Sequence, residues 1–181
     1  MKLTSKQMVL IAEFAAIIAV LSQITIPLAL IPLTLQTFAV GFVATISDKK
    51  SSTYAVLIYL LLGLIGLPVF ANFRSGMAVL FGPTGGFLIG FIFNAFITSW
   101  LMSKKTVSYG WAILANISGA FFTLLFGTIW LQFGNGMTFA DALAAGFIPF
   151  IIPGIIKAVA AACLGVVVLK RVPFLKQNNK K

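Results

Sequence analysis

Long apolar stretches alternate with short segments rich in lysine, glycine and proline along the whole chain. The hydrocarbon core of a bilayer is about 30 Å thick, so a helix that crosses it needs roughly 20 apolar residues. The pattern predicts an all-α protein with six transmembrane helices, at 7–25, 33–47, 53–67, 85–102, 108–132 and 146–169. The second and third are short for a span, so either they pack inside the bundle or they extend beyond these bounds.

The composition also favours a membrane protein. Hydrophobic residues make up 60% of the chain, charged residues 9%, and the mean hydropathy is +1.08. A chain of 181 residues cannot bury so much apolar surface in a soluble domain, so we expect one integral-membrane domain over residues 1–181. The 13 Lys and Arg residues do not indicate nucleic-acid binding, because they lie between and beyond the apolar runs instead of clustering on one solvated face.

The basic residues predict an orientation in the cell membrane. No small-residue cleavage site follows the first apolar run, so we expect it to be retained as a span. With a cytoplasmic N-terminus, 11 of the 13 basic residues fall on the inner side: Lys2, Lys6, Lys49, Lys50, Lys104, Lys105, Lys170, Arg171, Lys176, Lys180 and Lys181. Arg74 falls in an outer loop and Lys157 within a span, so the positive-inside rule favours six helices with both termini inside.

Small residues recur at four-residue spacing in the first helix, "AEFAAIIA". Ala12 and Ala16 share one face, as do Ala15 and Ala19. Such a strip lets another helix approach closely, either a helix of the same bundle or a helix of a partner protein.

The segment after the third helix, "GLIGLPVFANFRSGMAVLFGPTGGFLIGF", is too apolar for a merely solvated loop, and we expect it to fold back onto the bundle. Gly82 to Gly86 precede a helix, and a glycine-rich turn at a helix N-terminus exposes backbone N–H groups that suit a carboxylate. An ordinary turn between two helices is the alternative interpretation.

Lys157 lies in the apolar stretch "FIPFIIPGIIKAVAAACLG". A cation at the centre of a span costs at least about 2.5–3.5 kcal/mol on insertion scales, so it normally faces a cavity or a partner. Snorkelling to the interface is the alternative. A helix that begins only after Pro149 or Pro153 would place Lys157 near an outer cavity, and both prolines favour that later start.

The runs "GLIGLPVFANF", "GPTGGFLIGF", "IPLTLQTFAV" and "IPFIIPGIIKA" together resemble the BioY family, the S components of energy-coupling factor transporters that take up biotin. The resemblance implies a six-helix S-component fold that binds a vitamin from outside and docks on a transmembrane T component with two ATPases. It also implies that the small-residue strip of helix one is the docking face.

The resemblance further implies a site for the biotin head at Asn72 and Lys157, with Tyr59, Phe73, Arg74 and the Gly85–Gly86 turn nearby. The family usually carries an aspartate three residues before this lysine, where this chain has Gly154. A carboxylate would accept from the ureido N–H groups of biotin, and its loss leaves a positively charged pocket that also suits lipoate, an anion with an apolar body. Biotin stays the expected ligand, since Asn72 and a water can supply acceptors.

Other function classes lack support in the sequence. With no His, one Cys and acids only at positions 13, 48 and 141, we find neither a metal site nor a nucleophile with its base, so we expect neither an enzyme nor a bound cofactor. No Walker loop is found, so ATP hydrolysis would occur on separate subunits. A channel or secondary transporter usually needs intramembrane acids or paired broken helices, and neither pattern is seen.

Overall fold

A computed structural model of the chain describes residues 4–28, 30–172 and 175. Two short strands, β1 (Thr25–Ile26) and β2 (Leu33–Thr34), pair antiparallel between the first two helices. The helices are α1 (Ser5–Ser22), α2 (Gln36–Ile46), α3 (Lys49–Leu64), α4 (Met77–Phe81), α5 (Gly85–Met102), α6 (Tyr109–Gly134), α7 (Phe139–Gly146) and α8 (Ile148–Arg171). A helix is therefore found at each of the six predicted positions.

Within the described part of the chain, four segments are long and apolar enough to cross a membrane, namely α1, α5, α6 and the run Phe139–Arg171 that contains α7 and α8. The helix α2 is apolar but has only 11 residues, and α3 has 16 residues and begins with Lys49 and Lys50. The fold is thus a mainly helical membrane bundle in which the helices at two of the six predicted spans are shorter than a standard span.

The helix α2 lies inside the bundle, as one of the two sequence interpretations expected. Eight of its 11 residues are buried, and it packs against α1, α5, α6 and α8. Glycines allow the close approach: a Cβ on Gly41 would lie 2.4 Å from Oδ1 of Asn116 on α6, and one on Gly165 of α8 would lie 2.5 Å from Thr45. A short apolar helix enclosed in this way does not have to reach both membrane surfaces.

The prolines of α8 do not delay its start. The helix begins at Ile148, with Pro149 in its first turn and Pro153 inside it, so the expectation that it begins only after one of these prolines was wrong. Pro149 is tolerated because first-turn N–H groups have no intrahelical acceptor. Lys157 is nine residues beyond Ile148, about 14 Å along the helix axis.

Seven of the nine described basic residues lie at one end of the bundle. Trp111 Nε1 donates to the Leu101 carbonyl at 2.8 Å, and Lys170 Nζ lies 4.5 Å from the Tyr109 ring centroid, so the end of α5, the start of α6 and the end of α8 meet there. The start of α3 lies there too, because the Ser52 hydroxyl donates to Ser99 Oγ near the end of α5 at 3.1 Å. The helix α1 packs on α3, and its last residue bonds to the Val69 carbonyl after α3, so α1 also begins at this end. The described basic residues at or next to these helix ends are Lys6, Lys49, Lys50, Lys104, Lys105, Lys170 and Arg171. Lys2, Lys176, Lys180 and Lys181 lie outside the described residues.

Candidate functional site

A cavity of about 700 Å³ lies at the end of the bundle opposite this basic cluster. Its wall is formed by the β1–β2 hairpin, the segment between α3 and α5, and the adjacent parts of α2, α5, α6 and α8. Four phenylalanines contribute apolar wall: Phe70 from the segment between α3 and α5, Phe87 and Phe91 from α5, and Phe150 from α8. Arg74 contributes a cation. The segment between α3 and α5 folds back onto the bundle to form this wall, which confirms the expectation drawn from its apolar composition.

Lys157 lines this cavity, and its side chain is half-buried. Its Nζ donates to the Thr34 carbonyl of β2 at 3.1 Å. None of the described residues that line the cavity is acidic. The ammonium therefore reaches the cavity wall and bonds to a neutral carbonyl instead of snorkelling to the bundle end, and it retains hydrogens that a ligand can accept.

Gln36, which the sequence interpretation did not single out, also lines the cavity and is only 6% exposed. Its Oε1 accepts from the Thr34 hydroxyl at 2.9 Å, and its Nε2 donates to the Tyr59 hydroxyl at 2.6 Å. The sequence carried a signal for it, because Thr34 and Gln36 are polar positions in the otherwise apolar run "IPLTLQTFAV".

Tyr59 itself does not line the cavity. It is fully buried behind Gln36, with its ring edge-to-face against Phe70 at a centroid distance of 5.6 Å. Its hydroxyl fixes the orientation of the Gln36 amide, so its contribution to the cavity is indirect.

A strained turn at the cavity edge carries Asn72 and Phe73. Both residues have left-handed backbone angles, with φ of 58° and 55°, which non-glycine residues rarely adopt. The Thr25 hydroxyl donates to Asn72 Oδ1 at 2.7 Å, and Phe73 N–H donates to Gln23 Oε1 at 2.9 Å. These bonds hold the turn against the α1–β1 connection, and they leave Asn72 lining the cavity while the Phe73 side chain is 68% exposed.

The predicted glycines fall into two groups. Gly154 lines the cavity, and a Cβ built on it meets no atom within 4 Å, so its position opens into free space. A Cβ on Gly85 would lie 1.7 Å from the Leu80 carbonyl oxygen, and one on Gly86 would lie 2.1 Å from Trp130 Cβ. Gly85 and Gly86 therefore allow close helix packing and do not line the cavity. The preceding residues 82–84 do line it.

Four of the eight predicted ligand residues thus line one cavity: Asn72, Arg74, Gly154 and Lys157. The other four lie outside its wall: Tyr59, Phe73, Gly85 and Gly86. The cavity combines two cations, two amides and aromatic walls, which suits a ligand with an apolar body, a carboxylate and a polar head. Among the residues that the structure describes, no three His, Cys, Asp or Glu side chains are grouped as metal ligands.

The alanines of α1 also divide between two faces. Ala12 and Ala16 are exposed on the outside of the bundle. Ala15 is 1% exposed and belongs to the core, and Ala19 is half-buried. The Ala12–Ala16 face is thus the one available to another protein.

Three comparisons relate the chain to known proteins. Residues 1–174 match the sequence profile of the BioY family. The chain is 45% identical over 174 residues to biotin transporter BioY2 of Lactococcus lactis, an alignment that covers 94% of this chain and 92% of the relative. It is 41% identical over 159 residues to biotin transporter BioY of Thermotoga maritima, covering 88% of this chain and 93% of the relative.

The fold is also similar to a solved structure. A crystal structure of the S-component for biotin from an ECF-type ABC transporter aligns with a TM-score of 0.85 at 25% identity. The alignment covers 93% of this chain and 95% of that chain, so the similarity extends over nearly the whole bundle.

Proposed function

Because the chain belongs to the BioY family, we propose that it is the biotin-binding S component of an energy-coupling factor importer. The observation that carries the proposal is the cavity of about 700 Å³ with Lys157, Arg74, Gln36 and Asn72 in its wall. Biotin offers a matching set of groups: a carboxylate for a cation, an apolar ring and chain for the phenylalanines, and a ureido group for amides.

We assign the substrate-binding site to Asn72, Arg74, Lys157 and the wall at Gly154. Tyr59 supports this site through Gln36. Phe73 supports it through the turn that presents Asn72, and Gly85 and Gly86 support it by packing α5. The open space at Gly154 leaves the carboxylate position of the family unfilled, which is why lipoate is the comparison ligand to test.

The proposed topology is six spans in a single membrane domain over residues 1–181, with both termini in the cytoplasm of a bacterial cell. It is supported by the basic cluster, because lysine and arginine favour the cytoplasmic side. The cavity lies at the other end of the bundle and would open to the outside. A vitamin could therefore enter from the external medium.

The proposed partners are a transmembrane T component and two ATPase subunits. The exposed Ala12–Ala16 face of α1 would be the docking surface, because small side chains let a partner helix approach closely. The chain has no Walker loop, so ATP would be hydrolysed by the partners. This chain would act as the binding subunit of the importer and not as an enzyme.

The test is a titration of the purified protein in detergent or nanodiscs with biotin and, separately, with lipoate. Biotin should raise the melting temperature and bind in calorimetry at lower concentrations than lipoate. Absence of biotin binding by folded protein would refute the proposal, and tighter lipoate binding would favour the lipoate alternative. Uptake by proteoliposomes that contain this chain without ATPases would instead indicate a secondary transporter or channel.

A further inference from the structure

A continuous series of hydrogen bonds connects four elements along one wall of the cavity. Lys157 of α8 donates to the Thr34 carbonyl at 3.1 Å, the Thr34 hydroxyl donates to Gln36 at 2.9 Å, and Gln36 donates to Tyr59 of α3 at 2.6 Å. We call this series the Lys157–Tyr59 chain. It places the Gln36 amide in the cavity wall and fixes both of its ends.

The Gln36 amide still has hydrogen-bonding capacity for a ligand. An amide has two N–H hydrogens and two carbonyl lone pairs. The bonds to Thr34 and Tyr59 use one lone pair and one hydrogen, so one donor and one acceptor remain. Because Gln36 is 6% exposed and lines the cavity, these groups have little access to other solvent.

One donor beside one acceptor is the complement of a cis amide or ureido edge, which presents a carbonyl oxygen beside an N–H. Gly154 has no side chain, and no described residue of the cavity wall is acidic. The acceptor for a ureido N–H must therefore come from a neutral group. Gln36 supplies it, together with a donor for the ureido oxygen.

We propose that Gln36 recognises the ureido group of the vitamin with two hydrogen bonds, one donated and one accepted by its amide. Tyr59 would act as a positioning residue that holds this amide in the orientation the two bonds require. This inference rests on the proposed biotin-binding function. Tyr59 is fully buried and already bonded to Gln36, so the amide is ordered before the ligand arrives. Binding then requires little further loss of side-chain freedom at this position.

The test compares biotin with 2-thiobiotin, in which sulfur, a weaker acceptor, replaces the ureido oxygen. In the unmodified protein, 2-thiobiotin should bind more weakly than biotin. Gln36→Leu should weaken biotin binding about tenfold or more, since it removes two hydrogen bonds to the ligand. It should also shrink the affinity ratio between biotin and 2-thiobiotin, a change that a loss of fold stability alone would not produce.

Tyr59→Phe leaves the cavity wall unchanged but releases the Gln36 amide. It should weaken biotin binding about threefold to tenfold, as expected for one lost neutral hydrogen bond. It should also lower the ratio of biotin affinity to 2-thiobiotin affinity, as Gln36→Leu does. Tyr54→Phe is the matched control, because Tyr54 lies on the same helix and is exposed. It should change neither the affinity for biotin nor the affinity for 2-thiobiotin.

The outcomes separate this inference from the proposed function. If the unmodified protein fails to bind biotin, the proposed function fails first. If it binds biotin and folded Gln36→Leu keeps the parental ratio between the two ligands, only the role of Gln36 is overturned. Should Gln36→Leu not fold, the ratio measured for Tyr59→Phe decides, and an unchanged ratio overturns the inference.

Discussion

Replacement of Lys157 by methionine tests the central charge of the cavity. Lys157→Met keeps an unbranched side chain of similar length and removes the ammonium group. It should weaken biotin binding without lowering the stability of the unliganded protein. These two effects have different structural origins and can be measured on the same sample.

The size of the binding loss follows from the contacts of Lys157. The ammonium carries three hydrogens, and the structure shows one bond, to the Thr34 carbonyl at 3.1 Å. A ligand acceptor can take one of the remaining hydrogens in a charge-assisted bond worth about 1.5–3 kcal/mol, so its loss should weaken binding roughly ten- to a hundredfold. The bond to Thr34 is also lost, but removal of a cation that costs about 2.5–3.5 kcal/mol in a span offsets that loss.

The assay is calorimetric titration with biotin, combined with a melting curve of the ligand-free protein. Lys170→Met is the control, because Lys170 lies at the opposite end of the bundle beside the Tyr109 ring. It should leave biotin affinity unchanged. Unaltered affinity in Lys157→Met would refute the assignment, and a lower melting temperature that accounts for the whole loss would make Lys157 a structural residue.

Four further substitutions have definite expected outcomes. Gly154→Asp adds a side chain where a Cβ meets no atom within 4 Å and should raise the biotin-to-lipoate affinity ratio in competition binding; an unmoved ratio would contradict this. Ala16→Trp should retain binding but block ATP-driven uptake in the reconstituted complex, whereas Ala15→Trp, at a 1% exposed position, should lower the melting temperature. Normal uptake with Ala16→Trp would exclude docking at that face. Gly86→Val should reduce folded yield, because its Cβ would lie 2.1 Å from Trp130, and a well-folded variant that binds poorly would restore a ligand role for the turn.

The helices could be predicted from the sequence because membrane spans have a strong compositional signal. The predicted span 85–102 coincides with α5, and 146–169 differs from α8 by two residues at each end. The span 33–47 was predicted as helix throughout, but its first two residues form β2. A strand of two residues has no periodic pattern, so the hairpin could not be predicted from hydropathy.

The site could be predicted from physical reasoning only at Lys157, because a charge is costly in an apolar segment. Asn72, Arg74 and Gly154 were assigned through the resemblance to the BioY family, and all four residues line the cavity. Gln36 was missed because a neutral amide that bonds to Thr34 and Tyr59 is inexpensive to bury, and those partners become visible only in three dimensions. Gly85 and Gly86 were assigned to ligand binding because backbone exposure and helix packing both select glycine.

The shortness of α2 bears on the distance between the bound vitamin and the cytoplasmic side of the membrane. Gln36 begins the helix at the cavity wall and Ile46 ends it, a rise of about 16 Å for 11 residues. On the proposed topology, a vitamin seated against Gln36 already lies near the middle of a hydrocarbon layer about 30 Å thick. Its release into the cytoplasm would require a displacement of only about half the membrane thickness. The energy of ATP would then be used mainly to change which side of the membrane the cavity faces, since binding alone already brings the vitamin about halfway across the hydrocarbon layer.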